Sequence, residues 1–157
     1  MGLLGRYMSE RDMKLIRSFN AELMNDIIQT EVVLYKMVPD STKTNIYGES
    51  SPESGKVFYP GLPMTALIER ADIGTEQDDF GPNRKQDVVF KFLERALQLA
   101  NFFPEVGDII EFNARYHEIN NVVQEQFLGG IPEKSLSIIA NTQYSRLSKL
   151  NLVERQT

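Results

Sequence analysis

Apolar side chains at Ile16, Phe19, Leu23 and Ile27 recur at the spacing of one face of an α-helix. Ser9, three residues ahead of Asp12, makes a capping box before that series, so the pattern predicts a helix over 10–29. Arg11, Lys14, Arg17 and Asn25 fall on the other side. Such a helix lies on something, either the domain's own sheet or a neighbouring subunit.

From Glu31 the pattern becomes β-rich, with a first strand over 32–38 closed by Pro39-Asp40. Residues 40–55 have little to bury and are expected to form a long exposed loop, with a short paired piece at Asn45-Ile46-Tyr47. Strands are expected at 57–59 and 64–70, interrupted where Pro60-Gly61-Leu62-Pro63 forbids ladder bonding. The polar run 74–84 reads as a second long loop. Residues 86–93 alternate as a strand, and 94–101 suit a short helix ending before Pro104.

The strongest local pattern spans 104–119. Gly107-Asp108 makes a corner, Ile109, Ile110 and Phe112 supply one strand, Asn113-Ala114-Arg115 a turn, and Tyr116 to Ile119 the return strand, continuing through Val123. Gly129-Gly130-Ile131-Pro132 breaks it, and 135–140 make a last strand. The fold class is therefore mainly β (α+β): a single domain over 1–157. It is divided into an N-terminal helix over 10–29, a small barrel or sandwich over 30–143 containing one short helix, and an extended tail over 144–157. The tail carries Tyr144, Leu147, Leu150 and Leu152. It is too apolar to float free and is expected to dock on the body or on a partner.

The 157 residues suffice to bury a core without a metal or cofactor, and none is expected. There are no cysteines and one histidine, which removes disulfides, thiolate metal sites and histidine clusters. His117 is expected to be a surface or half-buried hairpin residue. The net charge of −5 argues against a strong grip on phosphates, which needs clustered Lys and Arg. No apolar run is long enough to span a bilayer, so a soluble, intracellular protein is expected. Asp72, Glu76, Asp78 and Asp79 lack the spacing of a calcium loop and read as a solvated segment. No nucleophile elbow, P-loop or dinucleotide loop occurs, and the 22 carboxylates define no pair without a cleft. The residues point away from enzyme chemistry.

The Gly107–Phe112 corner, the aromatic-Glu-Ile pattern from Tyr116 to Ile119, the strand Val88-Val89-Phe90-Lys91-Phe92-Leu93 and the weaker Phe127-Leu128-Gly129-Gly130 give the chain its resemblance to a known family. Over roughly 30–150 it resembles the neck or head-closure (stopper) proteins of tailed bacteriophages, closest to those of T-even-like contractile phages. The resemblance implies a small β-barrel that sits as a homo-oligomeric ring, usually of six copies, between the portal-adaptor protein and the tail terminator. Such a ring closes the DNA-filled head after packaging, with double-stranded DNA passing non-specifically through its lumen. It implies a virion neck location after assembly in the host cytoplasm, and no catalysis.

An acidic wall suits a conduit, because a basic lumen would hold phosphates and slow their passage. Within this reading the channel-loop candidates are Lys43, Asn45, Glu49, Lys56, Asp78, Asp79 and Arg84. The candidates for subunit or partner contact are Ile16, Phe19, Leu23, Tyr144, Leu147, Leu150 and Leu152. Two alternatives remain: a different connector ring (adaptor or tail terminator), or a small barrel binding single-stranded nucleic acid, with Phe90, Phe92, Tyr116 or Tyr47 stacking on bases.

Overall fold

The computed structural model describes residues 10–38, 56–70, 74–78, 81–85, 87–126, 135–145 and 150–151. The first helix, α1 (Glu10–Glu22), continues into a π-helical turn, Leu23–Ile28. Gln29 ends it in the left-handed conformation (φ 49°), its N–H donating to the Met24 carbonyl at 3.0 Å. The buried residues of this unit are Met13 and Met24.

The body is an antiparallel sheet of seven strands in the order β3 (Leu62–Thr65), β1 (Glu31–Tyr35), β8 (Ile109–Phe112), β9 (Arg115–Gln126), β10 (Ser135–Ser145), β7 (Asp87–Leu93) and β4 (Leu67–Arg70). Its two outermost strands are joined by one residue, Ala66, which is fully buried and donates its N–H to the Thr30 carbonyl at 2.9 Å. The single segment 62–70 thus pairs with β1 through its first half (Val32↔Met64) and with β7 through its second (Ile68↔Phe90). The ladder returns to its start. With β3 and β4 counted as one strand, the sheet is a closed six-stranded barrel, and closure removes the free edges that an open sheet leaves to aggregation.

Strict alternation fills the barrel. Val32 and Leu34 of β1 and Val88, Phe90 and Phe92 of β7 point inward, and Ile110, Ile119, Ala140, Leu97 and Phe102 complete the core. A register shift where Asn121 pairs with Asn141 and Ile119 with Thr142 leaves Asn120 as a bulge on β9. Bulges of this kind bend long strands, which a small barrel requires.

Four expectations need correction. The polar run 74–84 is no loop: β5 (Gly74–Asp78) and β6 (Gly81–Lys85) pair as a ribbon that in sequence extends the β4–β7 hairpin. A polar sequence does not preclude backbone pairing, which is independent of side-chain polarity. Pro63 is a ladder position opposite Val33, tolerated because β3 bonds to β1 on one side only at that level. The last strand runs on to Ser145, so Tyr144 belongs to the wall and not to a tail; its polar stretch Asn141-Thr142-Gln143 hid it. The hairpin turn is two residues, Asn113 and Ala114, both left-handed (φ 51° and 57°), with Arg115 already paired to Phe112. The short helix α2 (Glu94–Leu99) is as expected. A short parallel pair, β2 (Lys56–Val57) with β11 (Leu150–Asn151), lies outside the barrel ladder.

Candidate functional site

The barrel lumen has no place for a ligand. Phe90 and Phe92 stack with ring centroids 6.5 Å apart, and Phe112 meets Phe90 edge-on at 6.2 Å. Both β7 rings are completely buried, so neither can stack on a base. The third aromatic of that reading, Tyr116, is half-buried against Tyr35 (6.4 Å), and Tyr47 lies outside the described residues.

His117 is buried as well, 1% exposed, contrary to the surface or half-buried position expected of it. Its register opposite Ile110 and its alternation with buried Ile119 turn it inward, where its ring meets Phe90 at 5.7 Å and Tyr144 at 6.2 Å. Nδ1 has no hydrogen-bond partner. Burial, assisted by the charge of Arg115, lowers its pKa from 6.5 to about 4, so the imidazole is neutral near pH 7. Among the described residues no three His, Cys, Asp or Glu side chains converge to hold a metal.

The Gly107-Asp108 corner is a structural knot. Gly107 takes φ 97°, which a side chain would resist, and donates its N–H to the Ile119 carbonyl at 2.9 Å. The buried Asp108 carboxylate accepts from Glu105 N–H (2.8 Å), Met37 N–H (3.0 Å) and Lys36 Nζ (3.1 Å). Lys36 also donates to the Phe103 carbonyl at 2.8 Å and pairs with Glu105. This lashes β1 to the loop that launches the hairpin; it is full, and presents nothing reactive.

Of the channel-loop candidates, Lys56 sits on β2 and not on a loop, in an ion pair with Glu118 of β9. Asp78 and Arg84 occupy the two strands of the β5–β6 ribbon. Lys43, Asn45, Glu49 and Asp79 lie outside the described residues, as does Asp72. Leu150 pairs through its backbone with Lys56, while Leu147 and Leu152 also lie outside.

The outer surface is where the structure leaves apolar groups open. The helix docks through a face that includes two of its polar residues. Arg17 Nη2 donates to the Ser135 carbonyl at 3.3 Å, and Thr65 Oγ1 donates to Asn25 Oδ1 at 3.0 Å. Of the two supports expected for this helix, its own sheet takes Met13 and Met24. The apolar series faces out: Phe19 and Ile27 are 70% exposed, Leu23 is partly so, and Ile16 is half-buried. Leu15, 67% exposed, joins them; its i+4 relation to Phe19 was the signal that could have found it.

On the other flank of α1 a groove of about 310 Å³ separates it from α2 and the start of β10, lined by Arg17, Asn20, Ala21, Ala96, Leu99 and Leu136 among others. Leu99 is 80% exposed, and Phe103 and Val106 beyond it are also open. These three were absorbed into a helix end and a turn when read as sequence, and their exposure had no local signal.

No helix among the described residues is long and apolar enough to cross a membrane. No family model matches the chain, and no curated protein matches it. Among solved structures, it is similar to a chain of "Virion of native gene transfer agent (GTA) particle", at 15% identity and a TM-score of 0.44, covering 72% of this chain and 92% of that one. An overlap of that size carries no conclusion about function.

Proposed function

We propose that this chain is a virion structural protein of a tailed-phage type, a ring subunit of the head-to-tail connector that acts by assembly and channel closure and catalyses no reaction. What carries the reading is the division of the molecule into a saturated closed barrel and an amphipathic helix whose apolar stripe, Leu15, Phe19 and Ile27, faces outward. Isolated monomers seldom leave such a contiguous apolar strip to water. The resemblance of the Gly107–Phe112 corner and the Val88–Leu93 strand to head-closure proteins supplies the identity of the assembly. Within it, the stopper position is favoured over adaptor or terminator by that resemblance alone. The partners are further copies of this chain, a portal-adaptor ring and a tail terminator, with duplex DNA passing through.

The single-stranded nucleic-acid reading loses two of its four stacking candidates, because Phe90 and Phe92 are core. Electron microscopy of the purified chain tests the proposal. Rings with a lumen wide enough to pass duplex DNA are expected; a strict monomer, even beside adaptor and terminator partners, would overturn it.

A further inference from the structure

We infer that the ring contact is head-to-tail, with the exposed stripe of α1 on one copy, led by Phe19, seated in the α1–α2 groove of the next copy. The inference rests on the ring reading above and names the surfaces that build it.

The two surfaces lie on opposite flanks of one helix. At about 100° per residue, Ala21 sits roughly 80° to one side of Met13, which marks the face buried on the barrel, and Phe19 roughly 120° to the other. Ala21 lines the groove; Phe19 points away from it. A subunit therefore cannot fill its own groove with its own stripe. Two different complementary patches on opposite sides are what a heterologous, ring-closing contact needs, whereas a two-fold dimer needs one self-complementary patch.

The chemistry of the two patches matches. The groove offers Ala21, Leu93, Ala96, Leu99 and Leu136 as an apolar floor and walls, with Arg95 exposed at its edge. The stripe offers Leu15, Phe19 and Ile27, with Glu22 and Asp26 exposed on the same helix. Apolar meets apolar, and acidic residues come toward a basic one. The π-helical turn fits this arrangement. Its wider winding keeps Ile27 out in solvent with Phe19 while Met24 stays buried, so the stripe extends past the α-helical part.

Two blocked variants test it. Phe19→Asp spoils the stripe and leaves the groove; Leu99→Asp spoils the groove and leaves the stripe. Both positions are largely exposed, and a wild-type circular-dichroism spectrum with a cooperative melt verifies that each variant folds. By sedimentation velocity the wild type is expected to be a ring and each variant alone a monomer. An equimolar mixture is expected to give a dimer of twice the monomer mass and nothing larger, because one good stripe meets one good groove and neither end can propagate. As a second pair, Arg95→Glu and Glu22→Lys are each expected to weaken assembly at least tenfold, and the double variant to regain it. Rings persisting in either blocked variant, a mixture that stays monomeric, or a wild type that stops at a two-fold dimer would overturn the inference; in the first two cases the ring reading survives. A wild type that is monomeric at every concentration, alone and beside adaptor and terminator partners, removes both.

Discussion

Phe90 and Phe19 are the same side chain put to opposite uses. Phe90 is sealed between β10 and β4 in a barrel whose ladder closes on itself, with every inward position of its strand buried. Phe19 sits on a helix that docks through Met13, Met24, Arg17 and Asn25 and leaves its most apolar flank in water. The difference separates what holds this molecule together from what it has available to hold on to others. The barrel is finished as a single chain, and the helix is not.

The comparison breaks first at the core. Phe90→Ala is expected to lower unfolding free energy by about 3–5 kcal/mol, through lost burial and the cavity left behind; a urea titration measures it. If that variant were neutral, the packed lumen described above would be wrong.

The Asp108 knot comes next. Asp108→Ala leaves the Met37 and Glu105 N–H groups without their acceptor, while Lys36 keeps Glu105 and the Phe103 carbonyl, and is expected to cost about 3 kcal/mol in the same titration. Asp108→Asn, which keeps the shape and part of the bonding, should cost less.

His117 sharpens the picture through pH. Its folded-state pKa is depressed, so the unfolded chain binds the proton more readily, and stability must fall as pH drops below 6.5 toward about 4. The loss attributable to this one group approaches about 3 kcal/mol at the acid end. His117→Gln is expected to flatten the slope of unfolding free energy against pH in that window, whatever it does to the absolute value. A wild-type stability that is level from pH 6.5 to 4 would mean the imidazole is not sealed in.

Phe19→Ala completes the series at the small end. In the monomer it is expected to change unfolding free energy by less than about 0.5 kcal/mol, as an exposed side chain making no core contact should.

How far the sequence announced this division depends on the region. Where one face of a strand is buried and the other wet, alternation reports it, and β1, β7 and β8 stand close to where the pattern puts them. The Gly107-Asp108 corner was legible because its residues act locally: a glycine with positive φ and an aspartate accepting from a backbone three residues away. A small barrel is expected from the sequence, but the way it closes is not legible there. Closure depends on the segment 62–70 changing partner at Ala66, and a one-residue switch leaves no trace in hydropathy. The β5–β6 ribbon is not legible because its residues, Gly74–Asp78 and Gly81–Lys85, carry no apolar period.

The helix is more instructive. Its apolar series is visible in the sequence, but hydropathy alone leaves open whether that series faces the domain's own sheet or a neighbouring subunit. The structure turns Met13 and Met24 to the body, and the ties of Arg17 to Ser135 and of Asn25 to Thr65 are long-range, 118 and 40 residues away in sequence, so no local pattern shows them. Of the contact candidates Ile16, Phe19 and Leu23, the structure puts Phe19 furthest into solvent. The channel candidates are divided among β2, the ribbon and segments outside the described residues.

The central claim is that stability and assembly reside in different parts of the molecule, and a paired measurement on Phe19→Asp tests it directly. Thermal unfolding and native mass spectrometry are run on the same samples of variant and wild type. The account predicts a melting temperature equal to that of wild type diluted below its assembly range, and a collapse from multiples of 17.9 kDa to the single chain. A variant that melts several degrees below the dissociated wild type, or one that assembles as the wild type does, would contradict it.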